Sequence, residues 1–466
     1  MKKSVQILLI PLFILVMSFN LYQCQPPGMY PESVIRKAVN NISVINTHEH
    51  QRAPEEVPDE RMGFYHLLES SYLSADVRSA GASGYRIEKL DSLDQDALWE
   101  SYGRGLDYSR TTSYYSHFIK GFEKLYGFED PYFTRDNITD LSNRILENYQ
   151  DYGKWFDEAF HKAGFELMFN DQYWNPYNCD LNEKYFALVF HINTLVMEAS
   201  NKPGAGVERK GIYKQAEADG YTINNLDDYL KYSEYLFTRN VEHNAVCVKN
   251  SMAYSRSLYY EDVPYEEARA LFNKPSVSLS RIEAKKIQDF MFHWVIQKSI
   301  EHELPIQIHT GYLAGNGNTL DNGQPKKLNN LFLKYPEAKF VLFHGGFPWT
   351  GEYAALGKMF PNVYLDIVWL PQISREEAVS ALDVMLDCMP YNKFFWGGDC
   401  ALIEESTGSL EFGKDVVTEV LTKRMQRGLL TEEVALEIVR RIFRENAIET
   451  FQLEKRLKRD FERMNM

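Results

Sequence analysis

The chain has 466 residues, of which 44% are hydrophobic and 25% charged, a composition typical of globular rather than disordered proteins. Lys and Arg total 51 against 65 Asp and Glu, so the formal net charge of −14 argues against nucleic acid or an anionic membrane surface as the main partner. Five Cys in this length exclude a scaffold stapled by disulfides.

The first 24 residues have the pattern of an export signal. Two lysines precede an apolar run from Val5 to Phe19, which is shorter than the ~20 residues of a membrane-spanning helix. The residues up to Cys24 resemble a loose lipobox, so Cys24 is a candidate for lipidation, with ordinary cleavage nearby as the alternative. We therefore predict a signal peptide over residues 1–24 and an exported protein, either periplasmic or held at the membrane as a lipoprotein.

Short apolar runs then alternate with amphipathic stretches that are typical of helices. Eight of these runs are predicted strands: 42–45, 165–169, 186–191, 245–249, 305–309, 340–344, 363–368 and 394–397. Near-continuous apolar strands separated by helices are typical of a parallel sheet buried on both faces. The pattern therefore predicts a (β/α)₈ TIM barrel over residues 41–404.

The largest departure from a minimal barrel lies between the first two strands. Without the 113 residues of 51–163, the 364-residue stretch 41–404 would have 251, close to the ~250 typical of this barrel. The block contains 20 aromatic residues, and we expect a mainly helical insertion that forms either a wall over the site or a small core of its own. Residues 405–466 are expected to form a C-terminal helical extension.

Side chains that can bind metals stand at the carboxyl ends of several predicted strands. His48 and His50 end the first strand, His309 and His344 end the fifth and sixth, and Asp399 follows the eighth. The carboxyl ends of parallel barrel strands meet at one face, so these residues are expected to converge. Imidazoles and a carboxylate suit a divalent metal, most often zinc.

Other polar residues near the strand ends lead to weaker expectations. Lys249 ends the fourth strand and is a further candidate for the site. His191, after the third strand, is expected to be structural. Glu404 and Glu405 could reach a substrate, but a solvated first turn of a helix is the expectation we adopt for both.

Four motifs together resemble the amidohydrolase superfamily, and in particular its amidohydrolase-related branch of metal-dependent hydrolases. They are THEH at 47–50, HTG at 309–311, HGGFPW at 344–349 and GGD at 397–399. The resemblance implies that His48, His50 and Asp399 bind the first metal ion.

The same resemblance implies roles for the strand-end residues that remain. In mononuclear relatives the residue at His309 joins the metal, and the residue at His344 acts near the substrate as an acid or base. In binuclear relatives both bind a second ion, bridged by a carboxylated lysine at the position of Lys249. The resemblance therefore leaves open whether one or two metal ions are bound.

Three further residues are expected to bind the substrate. Lys249 could instead stay cationic and hold a substrate carboxylate together with Arg256, whose planar fork suits that task. Tyr254 belongs to the same stretch, which resembles one found in relatives, and Trp349 ends the HGGFPW motif.

These residues predict an enzyme that hydrolyses an amide, ester or lactone bond of a small organic substrate through a metal-activated water. Asp399 would carry the proton, and His344 would stabilise the developing charge or act as an acid. The alternative at the same site is a non-oxidative decarboxylase or a sugar-acid isomerase. A non-catalytic exported binding protein is a third reading, and assembly into a homo-oligomer is left open.

Overall fold

The computed structural model describes residues 29–53, 57, 62–82, 84, 87–204 and 208–461. The predicted signal peptide, residues 1–24 with Cys24, lies outside the described residues. No helix in these ranges is both long and apolar enough to cross a bilayer.

Eight parallel strands form one sheet in the order of the chain. They are β1 (Val44–Glu49), β2 (Phe165–Asn170), β3 (Phe186–His191), β4 (Cys247–Asn250), β5 (Ile306–Ile308), β6 (Phe340–Leu342), β7 (Val363–Asp366) and β8 (Phe394–Phe395). Each strand pairs with the next, and backbone hydrogen bonds from Thr47 to Trp396 and from Asp399 to His48 complete the ring between β8 and β1. The predicted (β/α)₈ barrel is confirmed.

The described part of the insertion, within residues 51–163, is helical, as predicted. Helix α1 (Met29–Asn41) precedes β1. The insertion contains α2 (Phe64–Ser70), α3 (Leu73–Ser79), α4 (Ile87–Leu90), α5 (Gln95–Ser109), α6 (Ser113–Tyr126), α7 (Arg135–Tyr149) and α8 (Tyr152–Ala163). Phe64, Phe118, Phe122 and Phe133 are fully buried and pack against one another, so the insertion has an apolar core.

The remaining helices cover the barrel. Between β3 and β8 lie α9 (Asn193–Met197), α10 (Gly211–Ala218), α11 (Leu226–Glu242), α12 (Tyr265–Phe272), α13 (Arg281–Glu301), α14 (Asn329–Lys334), α15 (Thr350–Met359), α16 (Leu370–Ile373) and α17 (Arg375–Cys388). After β8 come α18 (Ile403–Gln426), α19 (Glu432–Arg440), α20 (Asn446–Thr450) and α21 (Leu453–Leu457). The predicted start of the C-terminal extension, residue 405, falls inside α18.

Helix α18 joins the insertion to the barrel. Gly121 of α6 and Gly408 of α18 lie where the two backbones touch: a Cβ on Gly408 would lie 2.0 Å from the His117 carbonyl oxygen. Beside this crossing, the Glu404 carboxylate is fully buried and accepts hydrogen bonds from three insertion side chains, Tyr126, Tyr149 and Trp155. The expectation of a solvated turn at Glu404 and Glu405 was wrong, because the insertion covers this end of α18.

Candidate metal centre and its cavity

Three predicted ligands converge where β1 and the segment after β8 meet. Asp399 Oδ1 lies 3.1 Å from His48 Nε2 and 3.0 Å from His50 Nε2. Each of the three residues offers a ligand atom within 4.8 Å of the others. His48 is fully buried and Asp399 is 5% exposed, so the group lies inside the barrel mouth rather than on its rim.

The hydrogen-bond pattern shows that these donors fit a cation. The Asp171 carbonyl oxygen, which can only accept, lies 2.8 Å from His50 Nδ1, so the ring proton sits on Nδ1 and the Nε2 lone pair faces Asp399. Two acceptor atoms at 3.0 Å need a proton or a metal ion between them. Two imidazoles and one carboxylate are donors that zinc accepts, so the residues present fit a divalent metal.

Burial and local charge set the ionisation of the three groups. Burial lowers the pKa of His48 to about 3, which keeps that ring neutral. Burial also opposes ionisation of Asp399, but its contacts with His48 and His50 outweigh this effect and hold the carboxyl pKa well below its usual range. For His50, burial is outweighed by Asp399, and the pKa of the ring is raised.

His309 and His344 form a second pair of facing acceptors. His309 Nε2 lies 2.8 Å from the Tyr312 carbonyl oxygen, and His344 Nδ1 lies 3.2 Å from that of Val368, so each ring carries its proton on the far side. The remaining nitrogens face each other at 2.9 Å. Burial lowers the pKa of His309 to about 3 and that of His344 well below its usual value. Because these low pKa values keep both rings neutral near pH 7, the facing lone pairs favour a shared cation over a shared proton.

Lys249 lies between the metal ligands and an aspartate that the motifs did not indicate. Its Nζ is 2.8 Å from His48 Nε2 and 3.9 Å from Asp171 Oδ2, and burial lowers the pKa of the amine. Asp171 also contacts His191, whose Nδ1 lies 2.8 Å from Asp171 Oδ1. Asp171 follows the end of β2, just as Asp399 follows the end of β8. That shared position after a strand could have identified Asp171 as a site residue from the sequence.

A cavity of about 530 Å³ opens above these residues. Most of its wall comes from segments that follow the strands, including His191 after β3 and Tyr254 after β4. Ser70, Ser71 and Tyr72 of the insertion complete the wall. The insertion therefore does both things that were expected as alternatives: it has its own core, and it lines the site.

The three predicted substrate-binding residues have different positions. Tyr254 lines the cavity, with its ring centroid 4.8 Å from that of His309. Arg256 does not line it: the guanidinium is buried against Asp289 and donates to Gln288 Oε1 at 3.3 Å. This arrangement does not support a grip on a substrate carboxylate, because the fork is already occupied.

Trp349, which directly precedes the first turn of α15, does not line the cavity either. The fully buried Trp369 takes the position beside the site, with its ring centroid 5.1 Å from that of His344. The role predicted for Trp349 is therefore not supported by its position.

The amidohydrolase family model matches residues 288–453, a stretch that includes His309, His344 and Asp399. The resemblance to the amidohydrolase superfamily is confirmed. Protein fluG of Emericella nidulans is 30% identical over 189 residues, which cover 39% of this chain and 22% of that relative. The aligned region thus spans about a fifth of the relative's length.

Two solved structures share the fold over most of both chains. A uronate isomerase from Thermotoga maritima has a TM-score of 0.74 at 15% identity and covers 90% of this chain and 97% of its own. A glucuronate isomerase from Caulobacter crescentus has a TM-score of 0.72 at 14% identity, with 93% and 96% covered. At this identity the likeness shows the fold alone.

Proposed function

We propose that this protein is a metal-dependent hydrolase that cleaves an amide, ester or lactone bond of a small organic substrate. The observation that carries the proposal is the pair of facing acceptor atoms on His50 and Asp399, 3.0 Å apart beside the neutral ring of His48. A divalent cation held by these residues, which we propose is zinc, would polarise a substrate carbonyl and lower the pKa of a water molecule.

The residues of the chain supply the proton transfers. Asp399 is ionised because its pKa is held low, so it can take a proton from the attacking water and pass it to the leaving group. His309 and His344 are both neutral because their pKa values are low, and their facing lone pairs, 2.9 Å apart, suit a cation rather than a proton. A second cation bound by this pair would stabilise the negative charge that develops on the carbonyl oxygen, and metal analysis would count the ions.

The position of Arg256 gives no support to a carboxylate as the reacting group. Among the described residues that line the cavity, Lys249 is the one lysine or arginine, and burial lowers the pKa of its amine. A decarboxylase or a sugar-acid isomerase would have to hold a substrate carboxylate, and Arg256 is bonded to Asp289 instead. Carbon dioxide release from an acid panel, without turnover of esters, amides or lactones, would favour the decarboxylase.

Metal content and hydrolysis together test the proposal. The His48→Ala variant should lose the bound ion and hydrolysis of any ester, amide or lactone that the wild type cleaves. The control is His243→Ala, which removes an exposed imidazole at the end of α11 and should change neither quantity. Full metal occupancy in His48→Ala would contradict the ligand assignment.

We also propose that the protein is exported, on the strength of the signal pattern over residues 1–24. Small molecules are its proposed partners, because an acidic chain is a poor match for nucleic acid or an anionic membrane. Intact-mass measurement of the protein from separated cell fractions tests export. A lipid adduct on Cys24 would show a membrane anchor, and full-length protein confined to the cytoplasm would contradict export.

A further inference from the structure

Glu405 is a buried carboxylate in the cavity wall for which the proposed hydrolysis has no use. It lies in the first turn of α18 and is 1% exposed, yet it lines the cavity. A carboxylate at this depth that faces a cavity can pair only with protein donors or with what the cavity holds.

The insertion satisfies one oxygen and holds it in place. Glu405 Oε1 accepts from the Tyr72 backbone N–H at 2.8 Å and lies 3.3 Å from His117 Nε2. The close crossing of α6 and α18 at Gly408 brings His117 to this position. For Oε2, the described residues provide no hydrogen-bond partner.

The proton between Glu405 and His117 does not alter what Oε2 can do. His117 Nδ1 lies 3.1 Å from the Ser113 carbonyl oxygen, so its proton is on Nδ1 and Nε2 needs a second proton to bond Glu405. That proton sits either on the imidazole or on Oε1. In both cases Oε2 remains an acceptor.

Tyr72 connects the other carboxylate oxygen, Oε1, to the reaction centre. Its backbone N–H donates to Glu405 and its hydroxyl donates to the Asp399 carbonyl oxygen. A single residue, Tyr72, therefore bridges Glu405 and Asp399 along the cavity wall. Because Glu405 and Asp399 line the same cavity, one substrate can contact both residues.

We propose that Glu405 determines substrate specificity by accepting a hydrogen bond from a hydroxyl or ammonium group close to the scissile bond. This inference rests on the proposed hydrolase function and names its substrate class: esters, amides or lactones that have such a donor. A site built around a buried acceptor rejects an analogue without the donor, because the acceptor is then left unpaired.

Paired substrates test this for the metal-loaded enzyme. In the first pair, one substrate has a hydroxyl group and the other a methoxy group at the same position. In the second pair, an ammonium group is replaced by trimethylammonium, which keeps the charge but cannot donate a hydrogen bond. The wild type should prefer the donor of at least one pair by about 10²-fold in kcat/KM, and the pair that shows it identifies the group. Equal kcat/KM within both pairs would overturn the proposal.

Glu405→Gln is the informative variant, because the amide can keep an oxygen for the Tyr72 N–H while placing an N–H₂ group where Oε2 was. The preference should fall to a few-fold or reverse. Glu404→Gln is the matched control: it makes the same change one residue earlier, on a carboxylate that faces Tyr126 and Trp155 and not the cavity. Melting temperatures of both variants exclude unfolding as the cause, and an unchanged preference in folded Glu405→Gln would overturn the proposal.

Ligand binding separates failure of this inference from failure of the hydrolase function. If no pair is hydrolysed, the hydrolase proposal fails, and the same compounds are tested as ligands by the rise in melting temperature. Donor members should stabilise the wild type but not Glu405→Gln. Equal shifts within each pair, or no shift with any member, would overturn the role of Glu405.

Discussion

Three residues at this site have strained backbone conformations. His344, Trp369 and Asp399 have φ between 61° and 66°, a left-handed region that side chains other than glycine rarely adopt. Such residues persist only where the surroundings fix them and are often functional. For Asp399, the backbone bond to His48 and the bond from the Tyr72 hydroxyl provide that support.

Asp171 is the residue where a small change tests the electrostatics of the site. Asp171→Asn removes the negative charge beside Lys249 and His191 and should lower activity about 10- to 100-fold with the fold retained. The measurement is kcat/KM of the metal-loaded enzyme. Asp157→Asn, a partly exposed aspartate of α8 paired with Lys184, is the control that should not change kcat/KM.

Arg256 should behave as a structural residue. Arg256→Ala leaves the fully buried Asp289 with Lys285 as its remaining charged partner, so the variant should lose stability by about 1–3 kcal/mol. KM for a hydrolysed substrate should stay within a few-fold of the wild type. Denaturant unfolding and steady-state kinetics measure the two effects, and a large rise in KM at unchanged stability would restore the role first expected for Arg256.

At the scale of elements, the site depends on the contact between α6 and α18. This crossing places His117 of α6 against Glu405, a residue of the cavity wall to which the insertion also contributes Ser70, Ser71 and Tyr72. Glycine is required there because no Cβ fits between the two backbones.

Gly408→Ala should therefore destabilise the protein by about 1–3 kcal/mol, since a Cβ 2.0 Å from the His117 carbonyl oxygen forces the helices apart. Gly351→Ala in α15 is the control, because a Cβ there meets nothing within 4 Å and alanine favours the helix. Denaturant midpoints of both variants give the comparison. Equal stability of Gly408→Ala and the wild type would show that the two helix backbones are not in close contact at Gly408.

At the scale of the whole molecule, the metal should contribute to folding in a way that depends on pH. Without a metal, the pKa of His50 is raised above its unfolded value near 6.5, so this stabilisation is present below about pH 6.5 and is lost as pH rises through the folded pKa. Metal binding needs deprotonated ligands, so the affinity for the metal increases as pH rises through this pKa. The gap in melting temperature between metal-loaded and chelator-treated protein should therefore widen above pH 6.5, and a constant gap would contradict a cation at His50.

The apolar runs and the residues that follow them determine the barrel and five strand-end residues, His48, His50, His309, His344 and Asp399. Such features are local, and the carboxyl ends of parallel strands share one face in any barrel of this kind. Only the tertiary structure decided that Arg256 turns to a neighbouring helix, that Trp369 rather than Trp349 flanks the histidines, and that Glu405 lies in the wall. Those outcomes depend on contacts such as that between His117 and Glu405, 288 positions apart in the chain, which local pattern does not encode.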